Sequence, residues 1–293
     1  MFGNSLLKAL EFSPLVDSPY VTRETELGHV FTPLDLPDLT LWLDASDASS
    51  MTLNGFGAVE EWGDKSGNGN NAVGSGPLTF KPTYVFNGIN HLNCVQFGFS
   101  YCYVPTLANL ISASTAYMFV AYKPAGIQDN GTPPYNSSAI LGELETATNS
   151  DIGIFIDNSL ETYAYNNDGS DDSVSQFSAG GLSSTFMLYH ESGTLSCGVD
   201  LNAATSTASG NTTTIDLNLG IGTSALDGGN APTNPFRGVI GEIIMGNGAL
   251  SSDDIAAVRL YLYNKWKEHQ RPNVYTDDSG DGYYNEFFEF YTE

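Results

Sequence analysis

The feature that most constrains this chain is the alternation at 39–44, where Leu39, Leu41 and Leu43 interleave with Thr40, Trp42 and Asp44. Successive side chains of a strand point to opposite faces, so a period of two with bulky residues on both sides describes a strand between two packed layers. A second short run, Val59 to Trp62, leads into G-D-K-S-G-N-G-N-N at 63–71, too rich in glycine and asparagine to continue as a strand. Comparable runs follow at 94–97, 117–122, 139–142, 152–156, 161–165, 186–190, 195–199, 215–221 and 239–245. Many short strands separated by Gly, Asn, Ser and Asp turns predict an all-β sandwich. No fixed-period repeat is present, which argues against a propeller or solenoid.

One helix is expected at the end, over 251–268. Ser251-Ser-Asp-Asp254 supplies a cap with a carboxylate three residues on, and acids suit the positive start of a helix. Ile255, Val258, Leu262 and Trp266 fall on one face, Arg259, Lys265 and Lys267 lie toward the negative end, and Pro272 stops the element.

Taken together, L-T-L-W-L-D-A-S-D, W-G-D-K-S-G-N-G-N-N-A, and a last strand G-V-I-G-E-I-I-M-G followed by A-L-S-S-D-D and the amphipathic helix form an ordered set. Between them P-T-Y at 82–84, N-G at 87–88 and V-Q-F at 95–97 keep the same rhythm. This set resembles the concanavalin A-like (laminin G-like) jelly rolls of tailed-phage virion proteins. The resemblance implies a jelly-roll β-sandwich over 39–270 that is displayed on a virion. It would decorate the capsid or act as a tail- or fibre-associated adhesion module for host-surface glycans, without enzymatic activity. A secreted carbohydrate-binding or glycan-hydrolysing module is the alternative.

The flanks read differently. Residues 1–38 carry Phe2, Leu6, Leu7, Leu10, Phe12 and Val30 among Pro14, Pro19, Pro33 and Pro37, an apolar extended arm expected to lie on a surface of its own sandwich or of a neighbour. Residues 271–293 alternate Tyr283, Tyr284, Phe287, Phe288, Phe290 and Tyr291 with acids, and a run so aromatic is expected to dock. The expected partners of both flanks are other virion proteins, with homo-oligomerisation open.

Ten Lys+Arg against 34 Asp+Glu give a formal charge of −24, which phosphate backbones repel, so nucleic-acid binding is not expected. The imbalance is uneven: residues 124–236 hold 13 acids and no Lys or Arg. Cys94, Cys102 and Cys197 have no zinc-type spacing and read as buried free thiols of a protein folded in a reducing compartment, a Cys94–Cys102 bridge being the other option. No basic region followed by a long apolar core opens the sequence, so neither a signal peptide nor membrane insertion is expected, and the expected location is the virion exterior.

The candidate ligand-binding residues are Tyr101, Tyr103, Tyr163, Tyr165, Asn166 and Asn167, since rings and amides on strands and loops suit sugars; alternating tyrosines also serve as half-buried packing. Asp277, Ser279 and Asp281 stand at the first, third and fifth positions of a calcium-type loop with Gly282 at the sixth, but Phe288 occupies the closing position where a glutamate belongs. Asp168 and Asp172 repeat the acid spacing in a second loop; plain solvated turns are the preferred reading of both, with Ca2+ as the one cofactor considered. Hydrolysis needs two carboxylates across a cleft, and the nearest match, Glu143 with Glu145, lacks a third member, while Glu242 stands alone. Asp64 and Asn68 are read as loop-fixing groups, and Trp42 and Trp62 as core.

Overall fold

The structure, a computed structural model, describes residues 30–268 apart from segments at 75–79, 106–110, 114, 126–137, 145–151, 158, 168–170, 178–181, 210–212, 216–217, 227–231 and 234. Two antiparallel sheets stack into the expected β-sandwich, with one helix near the end of the described chain. The eight-stranded sheet runs in the order Thr205–Ala208, Thr194–Val199, Ser184–Glu191, Thr115–Pro124, Gly238–Gly246, Leu92–Phe97, Thr83–Ile89. Leu39–Asp44 completes it by pairing with residues 242–246 of the Gly238–Gly246 strand, whose first three residues pair with Leu92–Phe97. The strand that opens the sandwich is therefore zipped to the one that ends it. A register shift at Gly241 marks the place where the two neighbours meet end to end.

The centre of this sheet is buried on both faces, which explains why 116–122 reads as the unbroken run A-Y-M-F-V-A-Y. Met118, Val120 and Tyr122 face the inter-sheet core with Leu41, Leu43, Phe186, Leu188, Ile243 and Met245. Tyr117, Phe119 and Ala121 face the other way, beneath the helix, with Trp42, Met187, Ile244, Val258, Leu262 and Trp266. At about 1.5–3 kcal/mol for each large apolar side chain buried, these two layers dominate the stability of the fold. The three cysteines are free and buried.

The helix, Ser252–Trp266, forms as its ends dictate. The Ser251 hydroxyl accepts from Asp254 N–H at 3.1 Å, and the Asp254 carboxylate accepts from Ser251 N–H at 3.2 Å, a reciprocal capping box. Val258, Leu262 and Trp266 are buried on the sheet, and the Trp266 ring rests where Gly241 leaves room: a Cβ there would lie 2.5–2.7 Å from ring carbons. Under the helix sits Glu242, fully buried. Its Oε1 accepts from Trp42 Nε1 at 2.7 Å and Tyr261 OH at 2.8 Å, its Oε2 from Trp266 Nε1 at 2.6 Å and Lys265 Nζ at 2.8 Å. Lys265 bridges on to Asp44 at 2.9 Å, and Lys65 joins Asp44 at 3.2 Å to Asp47 at 2.9 Å. Burial pushes the Glu242 carboxyl up and Lys265 opposes it; three of its four partners can only donate, so the ionised form is the one that fits.

The turn that follows Trp62 is held from within, as its composition predicted. Asp64 accepts from Trp42 N–H, Ser66 N–H and Asn70 N–H, each at 2.9 Å, while Asn68 and Asn70 donate to the carbonyls of Leu39 and Thr40 at 2.8 and 2.7 Å. Residues 30–38 lie on the helix side of the same sandwich: Leu36 is buried, Phe31 meets Tyr261 edge-on at 5.9 Å, and Tyr117 OH donates to Pro37 O at 2.7 Å. Residues 1–29 and 269–293, and with them most of the expected arm and the whole docking tail, lie outside the described residues, as does Pro272. No helix among the described residues is long and apolar enough to cross a membrane.

Candidate functional site

The second sheet is left with an outer face that no helix among the described residues covers. Its nine strands run Asp171–Phe177, Glu161–Asn167, Ile152–Ile156, Ser138–Leu144, Asn218–Ile221, Cys102–Val104, Ala72–Gly74, Val59–Trp62, Met51–Leu53. Leu141, Ile152, Ile154, Ala164, Leu219, Ile221, Cys102 and Val104 point into the inter-sheet core, so by alternation their neighbours point outward. The register then lines up one outward row of directly opposed residues: Val73, Tyr103, Gly220, Gly142, Gly153, Tyr165, Ser173. Three adjacent strands thus carry no side chain in the middle of the row, and a tyrosine stands at each end. Four strand spacings separate the tyrosines, about 19 Å. Gly153 is required by packing, since a Cβ there would lie 2.6 Å from Leu141 O and 2.7 Å from the Phe155 ring.

Along the edge hairpin the outward residues are Tyr163 and Tyr165 on one strand and Ser173, Ser175 and Phe177 on the other, with Phe155 alongside. Tyr165 is buried and meets Phe155 edge-on at 5.7 Å; Phe155, Tyr163 and Ser175 are half-buried, and Ser173 and Phe177 are exposed. Tyr163 OH donates to Asp157 Oδ2 at 2.8 Å and Glu161 Oε2 at 3.1 Å, and Ser175 Oγ donates to Glu161 Oε1 at 2.5 Å. Asp157 is fixed in turn by Ser159 N–H and Glu161 N–H, at 2.8 and 2.9 Å. Partial burial and the Asp157 and Glu161 carboxylates raise the Tyr163 hydroxyl well above its ordinary pKa, so it keeps its proton. The result is a strip of aromatic rings bordered by the Tyr163 and Ser175 hydroxyl oxygens, both fixed to carboxylates.

Of the residues singled out in the sequence, Tyr103, Tyr163 and Tyr165 share this outer face. Tyr101 does not: it precedes its strand, bonds Phe80 O through its N–H, and is only 1% exposed. Asn166 sits between two outward residues and therefore faces inward, fully buried. Asn167 pairs with Asp171 through the backbone, and its side chain lies outside the described residues, as does Asp168. Asp172 pairs with Asn166 and shares the inward side of the edge strand with Val174. Asp277, Ser279 and Asp281 fall outside the described residues. Among the described residues no group of three or more His, Cys, Asp and Glu side chains is placed to hold a metal ion. Of the carboxylates weighed for hydrolysis, Glu143 is buried on the inward side, Glu242 lies under the helix, and Glu145 is outside the described residues.

The glycine row was not singled out from the sequence, although each member carries a mark: L-G-E at 141–143, I-G-I at 152–154 and L-G-I at 219–221. A glycine between inward aliphatic residues in three strands signals an outer face stripped of side chains, but only the register shows that the three are neighbours. Phe155, Ser173 and Ser175 gave no such mark.

No protein-family model and no curated protein sequence matches the chain. Solved structures do resemble it. Domain 4 of AbnA, an extracellular GH43 arabinanase of Geobacillus stearothermophilus solved in complex with arabinotriose, aligns with a TM-score of 0.50 at 12% identity over 76% of this chain and 98% of that one. The binding domain of Paraclostridial Mosquitocidal Protein 1 aligns with a TM-score of 0.56 at 9% identity over 80% of this chain and 54% of that one. Trypanosoma rangeli sialidase in complex with sialic acid aligns with a TM-score of 0.51 at 15% identity over 79% of this chain, which spans only 34% of the sialidase. At these identities the likeness is one of fold, and the fold is a two-sheet β-sandwich with a helix after its last strand.

Proposed function

We propose that this chain is a carbohydrate-binding β-sandwich module without catalytic activity, and that its ligand lies on the outer face of the nine-stranded sheet against Phe155 and Tyr163. The observation that carries the reading is the gathering of these rings with Ser173 and Ser175 on a face that no helix among the described residues covers. Sugar rings stack their C–H faces on aromatics and exchange hydrogen bonds with fixed hydroxyls, which is the chemistry this strip offers. The neighbouring fold solved with arabinotriose is in keeping with such a use. Non-catalysis is supported by the placement of Glu143 inside the sandwich and Glu242 under the helix, and by the engagement of the two carboxylates that do border the strip, Asp157 and Glu161, as acceptors of Tyr163 and Ser175. Titration of the intact protein with a panel of oligosaccharides by calorimetry tests the reading. Tyr163→Ala is expected to weaken binding at least tenfold in protein that remains folded. Unchanged affinity in that variant, or release of reducing ends from any member of the panel, overturns it.

A second reading concerns where the module works. The ordered motifs at 39–72 and 238–266 resemble those of tailed-phage virion proteins, which favours display on a particle, as capsid decoration or tail adhesion, through residues 1–38 and 271–293. Mass spectrometry of purified particles with and without the protein's first 29 residues tests it; full incorporation of the truncated chain counts against it.

A further inference from the structure

The face just described has a marked electrical character, and the hydroxyl protons of Tyr163 and Ser175 are already committed. Tyr163 OH and Ser175 Oγ both donate to carboxylates of the hairpin, Tyr163 to Asp157 and Glu161, and Ser175 to Glu161. A hydroxyl that has given its one proton inward has only lone pairs left to offer outward. A ligand seated there must bring the donors.

Nor, among the described residues, does a cation stand ready on this side of the molecule. Five of the nine strands of the sheet come from 124–236, the stretch with no Lys or Arg. Every Lys and Arg among the described residues lies outside that stretch and is engaged. Lys65 and Lys265 bind Asp44; Lys81 pairs with Glu60, Lys123 with Glu268 and Lys267 with Asp200. Arg259 bonds the carbonyls of Asp200 and Asn202, and Arg237 covers the Phe99 ring. At Tyr163 and Ser175 a carboxylate- or sulfate-bearing sugar would meet acceptors, beside the Asp157 and Glu161 carboxylates that repel it. A neutral sugar supplies hydroxyl donors, while an ammonium group supplies three donors together with the charge the face lacks, and it is attracted to ring faces as well.

We infer that the ligand class of this face is an amino-sugar glycan, its ammonium group seated beside Tyr163 and Ser175 within reach of Asp157 and Glu161. The inference rests on the carbohydrate-binding reading and names the sugar that reading leaves open.

The test is calorimetric titration of the full chain with four probes: a trisaccharide of glucosamine, its N-acetylated counterpart, sialyllactose, and trilysine as a charge-matched peptide without a sugar. The glucosamine trimer is expected to bind at least tenfold more tightly than the N-acetylated one at low salt. The gap should narrow as ionic strength rises, because exposed charge attraction is screened over about 10 Å at 0.1 M salt. Sialyllactose and trilysine should bind more weakly than either. Glu161→Gln removes one of the two carboxylate charges beside Tyr163 and should narrow the preference for the amine over the N-acetylated trimer, whatever it does to the affinity common to both. Equal affinity for the two trimers, tighter binding of sialyllactose, or trilysine matching the amino sugar would overturn the inference and leave the glycan-module reading standing. Absence of binding by all three sugars would instead remove the carbohydrate reading itself.

Discussion

The two outward faces of this sandwich are built from the same alternation of side chains and are put to opposite uses. Over the eight-stranded sheet the outward residues are Trp42, Tyr117, Phe119, Met187 and Ile244, and a helix seals them. Over the nine-stranded sheet they include glycines, tyrosines, phenylalanines and serines, and no helix among the described residues lies on them. Both faces carry carboxylates joined to aromatic side chains, yet the joints differ. Glu242 holds two indole N–H groups, a phenol and an ammonium in a closed shell. Asp157 and Glu161 hold one phenol and one serine at an edge, beside residues open to solvent. The first arrangement locks an element in place. The second leaves atoms for something else to use.

That contrast is most sharply tested at Glu242. Glu242→Ala would leave Lys265 and the nitrogens of Trp42 and Trp266 without their common acceptor under the helix, and breaking a buried pair from one side costs about 3–5 kcal/mol. Urea denaturation should show that loss; a change below about 1 kcal/mol would mean the helix is not anchored through this carboxylate. Next in size is Gly241→Ala, where the added methyl meets the Trp266 ring. Overpacking of this kind costs about 1–3 kcal/mol, and a compensating Trp266→Phe should recover part of it if the contact is the cause. Ser251→Ala removes the helix cap and is expected to cost about 1 kcal/mol, again read by denaturation.

The helix-covered face was the more legible of the two in the sequence. Its parts are local: Leu41 and Leu43 against Trp42 within one strand, Ser251 and Asp254 three residues apart, and Val258, Leu262 and Trp266 along one helical stripe. Glu242 looked solitary because Trp42 is 200 positions away in sequence, and strand pairing has to bring it back. On the other face the tyrosines could be picked out, but which of them face together is a matter of register. Tyr101 and Tyr103 are two apart, as two strand residues on one face would be, yet Tyr101 lies before its strand and turns into the core. Asn166 was grouped with Tyr165 by adjacency, although neighbours in a strand point to opposite sides. The row Gly220, Gly142, Gly153 joins three segments whose order in the sheet differs from their order in the chain, and no single window of sequence contains it.

A smaller effect is read by pH at the outer end of the ion-pair chain that runs from Glu242 through Lys265, Asp44 and Lys65 to Asp47. The Ser49 hydroxyl and Lys65 hold the Asp47 carboxyl down at about 2, below its ordinary value of about 3.9. A group depressed on folding adds stability above its unfolded pKa and loses it as pH falls through the folded one. The difference in melting temperature between the native chain and Asp47→Asn should therefore be full above about pH 4 and fade toward pH 2. Asp47 lies at the surface, where such pairs contribute about 0–1 kcal/mol, so the pH course is the informative quantity. A difference that persists at pH 2 would assign the effect to something other than the charge.

The smallest expected change in stability lies on the face of the nine-stranded sheet, and its smallness is the point. Tyr163→Phe removes one hydroxyl from Asp157 and Glu161, but Asp157 keeps two backbone N–H donors and Glu161 keeps Ser175. Solvent reaches the half-buried strip, so the vacated acceptors can be met by water and the cost should stay within about 0.5 kcal/mol, as for other surface changes. The same change deletes an oxygen that a bound sugar would address. Binding should then fall while unfolding does not move, the reverse of Glu242→Ala, where unfolding moves and glycan affinity per folded molecule does not. A Tyr163→Phe variant that unfolds as readily as Glu242→Ala would make the strip a second lock, and the division of labour between the two faces would fail.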